Sequence, residues 1–153
     1  MRSGGRWVVI GALLLLHFGF HPMWTRWTVG PDLLAGGVLL GSLLLRAGQA
    51  AILGFVLGLL EASMALGPLG PTMLVLATAG FAGAWLRDIF YSDSGRFVPI
   101  FLFLGVWILQ IVLTSIAGNP VPSSLVLLWG PGSAALTTLV CWALERFVEV
   151  FLE

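Results

Sequence analysis

Unbroken apolar runs long enough to cross a bilayer constrain this chain more than any single motif. They recur six times, and each stops at a charged residue, a proline or a Gly-Pro cluster. Of the 153 residues, 59% are hydrophobic and 9% are charged, whereas about a quarter of a soluble domain is charged. No soluble core of this size hides so much apolar surface. A transmembrane barrel needs strands that alternate apolar and polar residues, and the runs here are continuous. The composition implies an all-α integral membrane protein.

A bilayer crossing takes about 20 apolar residues. The breaks place six spans at roughly Gly5–His21, Pro31–Leu45, Gly48–Leu66, Gly70–Leu86, Phe97–Ala117 and Ser123–Leu144, a single transmembrane domain with short loops. The second span is short and joins the third through Arg46, so these two are expected to form a helical hairpin. Pro31 and Asp32 open the second span, where a proline is tolerated in the first turn and an acid suits the helix dipole. Arg2, Arg6 and the apolar run after them have the outline of a signal peptide. Bulky His21-Pro22-Met23-Trp24 follows in place of a small-x-small cleavage site, so the run reads as a retained first helix.

Every basic residue is an arginine. With the N-terminus inside, Arg2, Arg6, Arg46, Arg87, Arg96 and Arg146 all fall on the cytoplasmic side and only Arg26 falls outside. That is the asymmetry of the positive-inside rule, and it puts both termini in the cytoplasm. Trp7, Trp85 and Trp142 then mark the inner interface, and Trp24 and Trp27 the outer. Trp107 lies mid-span and reads as packed between helices. Net charge is zero, and no basic patch of the kind nucleic acid requires is present. Membrane lipid is the partner that composition implies.

Glu61 is the one acid within the third span. An ionised carboxylate in lipid costs roughly 2–3 kcal/mol or more, which makes an intramembrane acid a functional candidate. It precedes the breaker cluster Gly67-Pro68-Leu69-Gly70-Pro71, near the expected outer end of its helix. Two readings stay open: a hydrogen-bonded structural acid that pins the outer turn, or a ligand for an ion, a substrate or a partner helix. Arg26, the only outer-side cation, is its only possible intrachain ion-pair partner. Small residues recur every four positions at Ala50, Gly54, Gly58 and Ala62, and again at Gly37/Gly41 and Gly80/Ala84. Such stripes let backbones approach closely in lipid, within this bundle or against a partner.

Other polar positions read more plainly. Gln110, Thr114 and Ser115 have the spacing for interhelical hydrogen bonds. Trp129-Gly130-Pro131-Gly132 is expected to kink the sixth span or break its start. His17 and His21 have the i, i+4 spacing of a metal pair, but no second acid or thiol lies near them in sequence, so packing or hydrogen bonding is the better reading. Cys141 reads as a small buried hydrophobe. Asp88 and Asp93 share a solvated loop with Arg87 and Arg96. No nucleophile–base pair, phosphate-cradling loop or carboxylate cluster is present, so catalytic residues, a cofactor and a metal site are not expected.

The segments Pro31-Asp32-Leu33-Leu34, Arg46-Ala47-Gly48, Gly54-Phe55-Val56-Leu57-Gly58-Leu59-Leu60-Glu61 and Gly67-Pro68-Leu69-Gly70 follow one another in fixed order. Together with Ala79-Gly80-Phe81-Ala82-Gly83-Ala84-Trp85-Leu86-Arg87, the string resembles the core pattern of MreD, the rod shape-determining membrane protein family. The resemblance spans about Pro31–Arg87, and Glu61 stands where the family more often carries aspartate. It implies a six-helix fold like the substrate-binding S components of energy-coupling-factor transporters. It also implies a non-enzymatic scaffold in the bacterial inner membrane, working with MreC, the MreB filament, RodA and a class B penicillin-binding protein. Pro31, Asp32, Gly54, Gly58, Glu61, Gly67, Pro68, Leu69 and Gly70 become the structural or partner-contact candidates. A vitamin-type transporter subunit is the alternative that the same fold implies.

Overall fold

The computed structural model describes residues 3–24, 31–65, 69–90, 97–116 and 123–152. They form six helices: α1 (Ser3–Trp24), α2 (Leu33–Leu44), α3 (Ala47–Ala65), α4 (Leu69–Phe90), α5 (Phe97–Ile116) and α6 (Ser123–Leu152). Three of them, α3, α4 and α5, are long and apolar enough to cross a membrane, while α1 and α2 hold shorter apolar stretches, Trp7–Gly19 and Leu33–Leu44. Large apolar side chains point outward, among them Leu15, Ile52, Leu74, Ile100 and Leu139. Such a surface suits a lipid solvent, where association rests on packing and polar contacts rather than on the hydrophobic effect.

Helix α2 is the centre of the molecule. Every residue from Leu33 to Leu43 is buried, and α2 packs against all five other helices. Its 12 residues rise about 18 Å, well short of the ~30 Å hydrocarbon core. Both ends are fastened. Asp32 is the N-cap, its carboxylate accepting from the Ala35 N–H at 3.0 Å. Pro31 therefore lies one residue before the cap rather than in the first turn. At the other end Arg87 of α4 donates from Nη1 to the Leu43 and Leu45 carbonyls at 3.0 and 3.1 Å. Those carbonyls are orphans of the helix terminus, and a cation suits that end of the dipole.

The remaining helices surround α2 in the order α1, α6, α5, α4, α3. The tightest pair is α3 with α4, while α2 and α3, joined by the short link at Arg46, pack as the expected hairpin but less closely. Gly54 and Gly58 of α3 and Gly80 of α4 decide this. A Cβ on Gly54 would run into the Leu76 carbonyl, one on Gly80 into the Ala50 carbonyl, and one on Gly58 would come within 2.8 Å of Met73 Cα. Only glycine lets these backbones touch. The small-residue stripe thus lies within the α3–α4 contact, with Ala50, Ala62 and Ala84 buried beside it.

Other expectations shift in detail. α6 runs through Pro131 as one helix of 30 residues, with no broken start. Gly130 and Gly132 flank the ring, and Gly130 seats the Trp107 indole, whose Cδ1 would lie 2.9 Å from a Cβ there. Trp107 is thus packed between helices, as its mid-span position predicts. α4 continues through Arg87 and Asp88, whose side chains pair at 2.6 Å. Asp93, Arg96, Gly67, Pro68 and Arg26 lie outside the described residues.

Candidate functional site

At the Asp32 end of α2, polar side chains from α1, α3, α5 and α6 converge on the start of the helix. α2 stops short, so its cap lies among helices that continue past it. The Asp32 N–H donates to Thr137 Oγ1 of α6 at 2.8 Å. Thr137 in turn donates to the Ser133 carbonyl one turn earlier at 2.9 Å. Gln110 of α5 donates from Nε2 to Ser133 Oγ at 2.7 Å. Ser133 and Thr137 are buried, so each bond replaces one that lipid cannot supply. The cluster ties α2, α5 and α6 together.

Glu61 belongs to the same end. Its Oε2 accepts from His17 Nε2 of α1 at 2.8 Å, with side-chain exposures of 12% for His17 and 22% for Glu61. The pair lies within electrostatic reach of Asp32. His17 is also held edge-on against Phe18, ring centroids 5.2 Å apart. Among the described residues the partner of Glu61 is thus a histidine from the first helix, while Arg26 lies outside them. Spacing along one helix hides this acid: His17 and Glu61 are 44 positions apart.

Of the candidates named from sequence, Asp32 and Glu61 meet at this end, with Pro31 preceding the cap. Gly54 and Gly58 lie on a different face of α3, against α4, and Leu69 and Gly70 begin α4 with exposed side-chain positions. Thr114 and Ser115 do not bridge helices; each hydroxyl donates to a carbonyl of its own helix, Gln110 and Ile111 respectively. Gln110 alone of that set reaches across. Sequence reasoning missed Ser133 and Thr137. The signal was their i, i+4 spacing just after Gly130-Pro131-Gly132, which places both hydroxyls on one face.

The cluster offers one carboxylate–imidazole pair, a second carboxylate at a helix cap, an amide and two hydroxyls. It supplies donors and acceptors but no activated nucleophile, and among the described residues no three His, Cys, Asp or Glu side chains group as metal ligands. Comparison with protein-family models, with curated proteins and with solved structures finds no match to this chain.

Proposed function

We propose that this chain is a non-enzymatic membrane scaffold of the bacterial cell-elongation machinery. It would cross the inner membrane six times with both termini in the cytoplasm, on an S-component-like fold. In this reading it binds MreC and, in a larger assembly, MreB, RodA and a class B penicillin-binding protein, supporting lateral-wall peptidoglycan synthesis and rod shape. The observation that carries the reading is the ordered MreD-like string from Pro31 to Arg87. Its members take distinct structural parts here: Asp32 caps α2, Gly54, Gly58 and Gly80 seat α3 on α4, Glu61 clasps α1, and Arg87 caps the far end of α2. A rigid hairpin with apolar outer faces, including Phe55, Val56, Leu59, Leu74 and Phe81, is a surface that partner helices can use. Co-expression with the MreC encoded in the same genome tests the reading: the two chains are expected to co-purify in detergent as a stable complex. A chain that elutes alone under those conditions removes it.

The polar cluster favours a second reading, a subunit that binds a small polar molecule, as vitamin-type transporter subunits do. Convergent donors and acceptors among apolar walls are what such a site needs. A thermal-shift screen of the purified protein against water-soluble vitamins separates the two readings. A saturable rise in melting temperature supports the transporter subunit, and a flat screen with MreC bound supports the scaffold.

A further inference from the structure

The ring of helices around α2 is not evenly packed. Neighbours α1–α6, α6–α5, α5–α4 and α4–α3 all approach one another closely, but among the described residues α1 and α3 do not. Side chains line the opening instead. Leu14 of α1 lies over Gly37, where a Cβ would meet its Cδ2 at 3.6 Å, and Leu53 of α3 lies over Gly41. Nearer the Asp32 end His17 and Glu61 join across the seam at 2.8 Å. On α1 the covering residues are three apart, and on α3 Leu53, Leu57 and Glu61 are spaced by four, so each set lies along one helix face. The glycine stripe of α3 points elsewhere, into α4.

We propose that the α1–α3 seam is a side opening onto the start of α2, latched by the His17–Glu61 hydrogen bond. Behind the latch lie the Asp32 cap and the Gln110–Ser133–Thr137 hydroxyl and amide chain. The α1–α6, α6–α5 and α4–α3 contacts are close helix packing, which gives way only if whole helices move, and between α4 and α5 a cavity of about 270 Å³ opens over Leu39. Among the described residues the α1–α3 seam is joined by the His17–Glu61 clasp without close backbone approach, so it parts with little disruption of helix packing. Release of the clasp lets α1 swing on its α6 contact and uncovers the first turn of α2.

Double electron–electron resonance in lipid nanodiscs reads this directly. In a Cys141→Ala background, spin labels at Leu15→Cys and Leu60→Cys report across the seam, and labels at Ile108→Cys and Leu139→Cys report across the packed α5–α6 pair. All four positions face outward. Glu61→Gln, which still accepts from His17, is expected to keep the distance distribution of the parent. His17→Phe and Glu61→Leu are expected to add a longer-distance population at the seam and leave the α5–α6 distance unmoved. An unchanged seam distribution in both latch variants overturns the proposal, and so does an equal broadening of both label pairs. The unmodified chain gives a second measurement that needs no variant to fold. The Ala35 and Gly36 amides, bonded to Asp32, are expected to exchange by local opening about tenfold or more faster than the α2 amides beyond Val38. Exchange of both halves at one common rate overturns the latch as well.

Discussion

Glu61 and Asp32 are both acids at the same end of the bundle, yet they depend on their surroundings in different ways. Glu61 has a side-chain partner on another helix, so its replacement by leucine leaves His17 without that acceptor, half-buried. Leaving that half-buried donor without its acceptor costs about 1–3 kcal/mol, nearer the lower end because unfolded chains in lipid also find partners. Glu61→Leu is therefore expected to melt at a lower temperature in detergent while Glu61→Gln stays near the parent. Equal melting of the two variants would remove the clasp from the stability account. Asp32 acts on backbone, accepting from Ala35 in its own first turn. Asp32→Ala is expected to cost about 1 kcal/mol as a lost N-cap, with Asn nearly neutral. Faster hydrogen exchange confined to residues 33–36 is the signature, and exchange spread over all of α2 would mean that Asp32 holds more than its cap.

At the scale of elements, closeness is set by where glycines stand in register, not by how short a loop is. The α3–α4 contact has backbone against backbone at Gly54, Gly58 and Gly80, so an added side chain cannot find room by rotating. Gly58→Leu is expected to push the hairpin apart and cost about 1–3 kcal/mol or more, the range for overpacking, read as a lost monodisperse peak on size exclusion. Gly48→Ala is the control, since a Cβ there meets nothing within 4 Å. Arg87 joins elements in another way, and Arg87→Ala is expected to loosen the α2 C-terminus by leaving the Leu43 and Leu45 carbonyls without their donor, about 1–3 kcal/mol. Rescue by Arg87→Lys would show that charge, not the fork of donors, is what matters. The number and type of helices were legible because apolar length and breakers act locally. The α2–α3 hairpin was legible from the short link at Arg46, but the closer α3–α4 pairing was not, because sequence adjacency says nothing about how tightly two helices pack. The polar cluster was half legible: Asp32, Glu61 and Gln110 stand out in apolar runs, while Ser133 and Thr137 blend into α6 and gain meaning only when α2 is seen to stop beside them.

For the whole molecule, side-chain contacts tie helix ends together in a pattern that fixes the path of the chain. His17 near the end of α1, Asp32 at the start of α2 and Glu61 near the end of α3 share one end of the bundle. Arg87 near the end of α4 reaches the end of α2 at the other. Gln110, late in α5, meets Ser133, early in α6. Successive helices therefore run in opposite directions, and the Arg46/Arg87 end is the one that arginine placement assigns to the cytoplasm. Single cysteines at Ser63, Arg46 and Asp88, all exposed, test the assignment in a Cys141→Ala background. A membrane-impermeant maleimide is expected to label Ser63→Cys in intact cells, and Arg46→Cys and Asp88→Cys only after the membrane is opened. The reverse pattern would invert the molecule and place the polar cluster on the cytoplasmic side. Labelling of all three from outside would mean that the helices do not cross, because exposed positions at opposite ends of a spanning bundle cannot share one aqueous face.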